Sequence, residues 1–137
     1  MTARTFRLGR TLESLEGLAG FVDDFAEAAG VSAASAMQIQ LVVEEAATNV
    51  VQHAFASGGS EGSVTLERTG DTVRVELVDD GPAFDPLSAA RPDVDAPLME
   101  RELGGLGIEL IRQMTDRQEY RRADGRNRLV MEKRLAD

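Results

Sequence analysis

The sequence predicts an α/β two-layer sandwich, with helices packed on one face of a mixed, mostly antiparallel sheet. Three observations lead there. Two long stretches before residue 56 carry apolar residues at helical spacing. Two pairs of strand-like runs are each joined through a glycine-containing turn, as hairpins are. A further helical stretch lies between those pairs. Helices and hairpins of this kind bury one apolar face of each layer against the other.

The elements follow in order. Residues 6–8 form a short first strand. Thr11 offers a side-chain oxygen as N-cap of the first helix, and Glu13 puts a carboxylate in its first turn. Leu12, Leu15, Leu18, Val22, Phe25 and Ala29 then recur at helical spacing, and Gly30 is placed to end the helix in a left-handed cap. Glu13, Glu16, Asp23, Asp24 and Glu27 make the opposite side acidic, as a solvated helix face is. Ser32 caps a second helix, expected to run to about Phe55. Ile39, Leu41, Val42, Val43, Ala46, Ala47, Val50 and Val51 make it apolar around much of its circumference, which suits a helix covered on several sides.

Residues 58–62 are a loop, and strands at 63–68 and 72–78 form a hairpin through Gly70 and Asp71. In the second strand Val73, Val75 and Leu77 share one face, and a period of two carries Asp79 onto that apolar face. A carboxylate there is costly unless a partner or ligand satisfies it. Residues 85–102 contain Pro86, Pro92 and Pro97 and little periodicity, so they read as a long loop with one helical turn near Leu87. Loops of this length in compact domains are commonly functional. Residues 106–114 form a helix, and a closing hairpin of 117–122 and 128–135 turns around 123–127. With neither an internal repeat nor a linker, the chain is expected to be one domain over residues 1–137.

Composition narrows the classes of function. The formal net charge is −9, which disfavours direct nucleic-acid binding, since phosphate backbones need a basic footprint. There is no Cys, so neither a disulfide framework nor a thiolate metal site is available. The single His has no second His or Cys with which to build a structural zinc site. There is no run of 18 apolar residues, and the first seven residues lack the apolar core of a signal peptide. A cytoplasmic protein without membrane contact is expected.

Three segments carry candidate chemistry. Glu45 and Asn49 are four residues apart and share a helix face, with His53 one turn further on. A carboxamide oxygen suits Mg²⁺, and a carboxylate one turn away can orient or deprotonate a nucleophile. Ordinary polar surface also fits this pair. Asp79 precedes Asp80-Gly81, and Gly81 permits close backbone approach. A buried carboxylate there can accept a hydrogen bond from an exocyclic amine; a tight turn after a strand would look the same. Gly104-Gly105-Leu106-Gly107 opens a helix, where backbone N–H groups favour anions. Neither a Walker A lysine nor a Rossmann βαβ context accompanies these glycines.

In this order and spacing the three segments resemble the N, G1 and G2 boxes of the GHKL superfamily of gyrase, Hsp90, histidine kinase and MutL. The stretch from Val43 through Glu44-Glu45-Ala46-Ala47-Thr48-Asn49 to Phe55 is most similar to the N-box helix of bacterial anti-sigma-factor serine kinases of the stress-response and sporulation switches. Asp79-Asp80-Gly81-Pro82-Ala83-Phe84 resembles their G1 box, Gly104-Gly105-Leu106-Gly107-Ile108 their G2 box, and the tail around Tyr120 and Gly125-Arg126-Asn127 their final hairpin. Thr115, before Asp116, departs from the apolar residue often found there.

The resemblance implies the GHKL (Bergerat) fold and an ATP site. Asn49 would hold Mg²⁺ and Glu45 would be the catalytic base. Asp79 would read the adenine amino group, with Gly81 admitting the ring. Gly104, Gly105, Leu106 and Gly107 would form the phosphate loop, residues 85–104 the ATP lid, and Arg101 (with Arg91 a second candidate) would reach the phosphates. The implied function is partner switching: a homodimeric anti-sigma factor that sequesters a sigma factor and, with Mg-ATP, phosphorylates a Ser or Thr of an anti-anti-sigma antagonist. The alternatives are a non-kinase, nucleotide-dependent binding module and an activator docking on a regulatory phosphatase. The coupling domain of gyrase- or MutL-like ATPases is not expected, since 137 residues hold no room for it beside this one. His53, inside the N-box, is unsuited to serve as a histidine-kinase phosphoacceptor.

Overall fold

The computed structural model describes residues 3–54, 58–59, 61–88 and 103–135, with the backbone alone for 54, 88 and 103–107. Strand β1 (Arg4–Leu8) is followed by helices α1 (Leu18–Ala29) and α2 (Ala33–Asn49). Strands β2 (Gly62–Thr69) and β3 (Thr72–Asp79) come next, then helix α3 (Leu103–Met114) and strands β4 (Arg117–Ala123) and β5 (Arg126–Arg134). The five strands lie in the order β1-β2-β3-β5-β4. The sheet, expected as mixed and mostly antiparallel, is antiparallel at all of its described pairings.

The first helix starts later than its periodicity suggests. Leu12–Leu15 is a 3₁₀ turn, Glu16 is extended, and Gly17 takes a left-handed φ of 89° before α1 begins. Thr11 makes no side-chain cap bond. The Ser14 hydroxyl instead donates to the carbonyls of Gly9 at 3.0 Å and Thr11 at 2.6 Å, the local competition by which Ser draws backbone away from regular helix. At the far end Gly30 has φ 71°, and Val31 N–H donates to the Ala26 carbonyl at 2.8 Å, the pairing of a Schellman cap. Arg68 on β2 donates to the carbonyls of Ala29 at 2.8 Å and Gly30 at 3.1 Å, placing a cation at the negative end of the helix.

Ser32 caps α2 as expected, its hydroxyl accepting from Ser35 N–H at 3.2 Å. Regular α-helix ends at Asn49, and Val50–Ala54 continues as a π-helical turn. Phe55, where the helix is expected to end, lies outside the described residues. Helix α2 packs against α1, α3 and the sheet. It buries Ile39, Val42, Val43, Ala46 and Ala47 but leaves Leu41 exposed. The core continues through Phe25, Val64, Leu66, Val75, Leu77, Ile111 and Met131, each large side chain contributing about 1.5–3 kcal/mol on burial.

Two tight turns set the register of the site. Gly70, at φ 60°, joins β2 to β3, and Asp124 (φ 55°) with Gly125 (φ 73°) joins β4 to β5. Two successive left-handed residues match the twist of the strands they connect. The second turn is shorter than the five residues expected, so β5 begins at Arg126 and Asp79 faces Asn127 across the β3–β5 pair.

Candidate functional site

A cleft opens where the C-terminal ends of α2 and β3 meet α3, β4 and β5. Its apolar wall comes from Ala46, Val50, Leu77, Ile108, Ile111 and Leu129, and its polar lining from Asn49, Asp79, Tyr120 and Asn127. This mixture, mostly apolar with a few convergent polar groups, suits a small-molecule site. Phe84 and Pro86 complete the rim.

Strand alternation carries Asp79 onto the buried face, as expected, with 7% of its surface exposed. Its Oδ1 accepts from Gly81 N–H at 2.9 Å and from Asn127 Nδ2 at 2.8 Å. Among the described residues Oδ2 has no hydrogen-bond partner. One carboxylate oxygen is thus saturated by the protein, and the other remains as an acceptor in a residue that lines the cleft.

Asn127, itself 5% exposed, is the hub of this corner. Its Nδ2 also donates to the Pro82 carbonyl at 2.9 Å, and its Oδ1 accepts from Phe84 N–H at 3.1 Å and from the Tyr120 hydroxyl. Acceptors surround one end of the carboxamide and donors the other, which sets its orientation. Arg122 Nη1 donates to the Gly81 carbonyl at 2.7 Å. Asn127 and Arg122 therefore hold the loop after β3, and Tyr120 supports Asn127. Sequence reasoning assigns them no role. The signal for Asn127 was present, because it precedes Leu129 and Met131 in the same period of two that marks Asp79.

Asn49, at the last regular turn of α2, lines the same cleft. The structure therefore brings the sequence-predicted Asn49 and Asp79 to one cavity from elements thirty residues apart in the chain. Glu45, one turn earlier, is half-buried on α2 but does not line the cleft. His53, in the π-turn, stacks on Phe84 with ring centroids 5.7 Å apart and planes at 21°. This contact joins the end of α2 to the loop that Asn127 pins.

Helix α3 begins at Leu103, so Gly104, Gly105, Leu106 and Gly107 lie in its first turns, three residues earlier than the expected helix start. Ile108 and Ile111 on the same helix line the cleft, which sets that N-terminus beside it. The exposed N–H groups of such a turn favour anions. Arg112 donates to the Leu87 carbonyl and tethers α3 to the short 3₁₀ turn at Pro86–Ser88. Arg101, Arg91 and most of the expected lid lie outside the described residues. Thr115 is buried with its hydroxyl satisfied, donating to the Ile111 carbonyl at 2.6 Å and accepting from Gln118 Nε2 at 2.7 Å, so its departure from the apolar pattern leaves the site intact.

These features together define a two-layer nucleotide-binding class: helices over an antiparallel sheet, an acid at a strand end, a carboxamide on the central helix and a glycine-rich helix start. Residues 8–133 match the histidine kinase-like ATPase domain, and the chain belongs to that family. It is 34% identical over 94 residues to the serine/threonine-protein kinase BtrW of Bordetella bronchiseptica, covering 68% of this chain and 66% of that protein. It is 34% identical over 92 residues to the serine-protein kinase RsbW of Halalkalibacterium halodurans, covering 64% and 56% respectively. The chain thus spans between half and two thirds of the length of these curated relatives. Among solved structures, the RsbU and RsbW domains of a Mycobacterium tuberculosis protein superpose with a TM-score of 0.69 at 15% identity, covering 98% of this chain and 33% of that one, a likeness of fold. A blue-light activated histidine kinase of Erythrobacter litoralis matches with a TM-score of 0.53 at 26% identity, over 77% of this chain and 32% of that one.

Proposed function

We propose that this chain is a cytoplasmic, ATP-dependent serine/threonine-protein kinase of the partner-switching type, a homodimer that holds a sigma factor and phosphorylates its anti-anti-sigma antagonist. The observation that carries the nucleotide part is the half-saturated carboxylate of Asp79. With Oδ1 engaged twice by the protein, Oδ2 can accept from a ligand N–H. Adenine offers an exocyclic amine at that edge, where guanine offers a carbonyl oxygen; a carboxylate acceptor discriminates between them. The apolar cleft wall supports the base, and the first turn of α3 supports the phosphates.

Asn49 fits a divalent ion: its carboxamide lines the cleft and has no hydrogen-bond partner among the described residues. Mg²⁺ takes few protein ligands, and when bound it would neutralise phosphate charge. Glu45 would accept the proton of the acceptor hydroxyl as its oxygen bonds to the γ-phosphorus and ADP departs. The kinase relatives support this activity, as does the N-box resemblance.

A second reading, the nucleotide-dependent binding module without transfer, is favoured by one observation: Glu45 stands outside the cleft lining. Single-turnover phosphorylation of proteins that co-purify with the chain separates the two. Transfer of the γ-phosphoryl group supports the kinase, and tight Mg-ATP-dependent capture with no transfer supports the module.

A further inference from the structure

Asn127 fixes the direction of every proton around it. Its Nδ2 lies against three acceptors: Asp79 Oδ1 at 2.8 Å, the Pro82 carbonyl at 2.9 Å and the Gly81 carbonyl at 3.4 Å. Its Oδ1 therefore faces the Phe84 N–H and the Tyr120 hydroxyl. A carboxamide oxygen carries no proton, so Tyr120 is the donor in that pair. The one phenolic proton is spent on Asn127. What Tyr120 Oη retains is acceptor capacity, in a half-buried residue that lines the cleft.

Asp79 and Tyr120 thus flank one carboxamide, Asp79 at its nitrogen and Tyr120 at its oxygen. Asn127 itself offers a ligand nothing further. Its two Nδ2 protons go to Asp79 and Pro82, and its two Oδ1 lone pairs take Phe84 and Tyr120. The remaining polar side chain of the lining, Asn49, belongs to α2. Around the carboxamide the wall is otherwise apolar, with Leu77, Ile108, Ile111 and Leu129. This corner of the cleft therefore presents two open acceptors, Asp79 Oδ2 and Tyr120 Oη.

We propose that Tyr120 is a specificity-determining residue whose Oη accepts one N–H of the adenine amine while Asp79 Oδ2 accepts the other. The proposal rests on the adenine reading above and adds a second contact to it. An exocyclic amine carries two protons. With Asp79 alone, one N–H would be left without a partner against an apolar wall, and a bond left unmade there costs more than a made one returns. From the amine to Tyr120, to Asn127 and on to Asp79, every step runs from donor to acceptor and the chain ends on the carboxylate. Bonds in such a chain polarise one another. Guanine, with a carbonyl oxygen at that edge, would meet two acceptors rather than one.

The test is calorimetric titration of two nucleotides into the full chain and into Tyr120→Phe. One nucleotide is ATP; the other is purine riboside triphosphate, identical but for a hydrogen in place of the amine. The substitution keeps the ring in the cleft wall and leaves Asn127 Oδ1 its bond from Phe84 N–H. ATP affinity should fall about threefold to tenfold, the value of one neutral hydrogen bond, while affinity for the analogue stays at the wild-type value. Unchanged binding of the analogue also shows that the variant is folded. Equal loss of affinity for both nucleotides overturns the proposal, since a purely structural hydroxyl would act on both alike. A variant that keeps the full wild-type preference for ATP over the analogue overturns it too, and leaves the reading of Asp79 standing. A wild type without that preference overturns it together with the adenine reading.

Discussion

The two ends of the cleft are built differently. At the β3 end, Asp79 is held by the backbone of Gly81 and the side chain of Asn127, and Asn127 is held in turn by Phe84 and Tyr120. At the α2 end, Asn49 has no hydrogen-bond partner among the described residues, and neither has Glu45, one turn away on the same helix and outside the cleft lining. The contrast teaches a division of labour. In the proposed role, base reading needs an acceptor aimed before the ligand arrives, and the bonds on Asp79 Oδ1 and around Asn127 supply that. Metal and acceptor chemistry need groups left open for the ligand to engage.

The largest expected effect breaks the open end. Glu45→Gln keeps the shape of the side chain and removes the proposed base, so phosphoryl transfer should fall by about 10²–10⁴-fold while calorimetric ATP affinity stays near wild type. Transfer at the wild-type rate would move the role to neighbouring Glu44, whose Oε1 already accepts from Gln40 Nε2 at 3.3 Å.

Asp79→Ala breaks the closed end. Loss of a charge-assisted bond of roughly 1.5–3 kcal/mol should cost about tenfold to a hundredfold in ATP affinity, measured by calorimetry on a protein shown to be folded. Asn127→Leu sharpens the comparison, because it leaves Asp79 in place but strips its support. It should lower stability by about 1–3 kcal/mol in urea titration, the cost of unsatisfied buried groups, and weaken ATP binding as well. Asn49→Ala should cost less stability, since its side chain has no hydrogen-bond partner among the described residues.

The smallest effect lies outside both ends. Ser32→Ala removes the hydroxyl that caps α2, the helix carrying Glu45 and Asn49. It should cost about 1 kcal/mol in stability and leave the ratio of ATP to GTP affinity untouched.

Much of this contrast was legible in the sequence, and the exceptions have physical causes. Asp79 stood out because a carboxylate on an apolar strand face is a local contradiction that alternation exposes. Asn127 poses the same contradiction but falls within the five residues expected as a turn. Only the left-handed pair Asp124–Gly125 shortens that turn and returns Asn127 to the strand. The break before α1 was hidden because Leu12, Leu15 and Leu18 keep helical spacing across Gly17, and spacing does not register a left-handed glycine. The stacking of His53 on Phe84 joins residues 31 positions apart, and no local pattern announces such a contact.

The central claim is that the protein fixes one oxygen of Asp79 as an acceptor for adenine, and Asp79→Asn tests it most directly. Gly81 N–H and Asn127 Nδ2 both donate to the Oδ1 position, so the carboxamide oxygen of the substituted residue must sit there. Its NH₂ then takes the Oδ2 position and presents donors where the wild type presents an acceptor. Calorimetric titration of ATP and GTP into both proteins gives the ratio of affinities. The account predicts that the wild type prefers ATP by about tenfold or more, the value of one buried charge-assisted bond, and that Asp79→Asn abolishes or inverts that preference. A folded variant that prefers ATP as strongly as the wild type would contradict it.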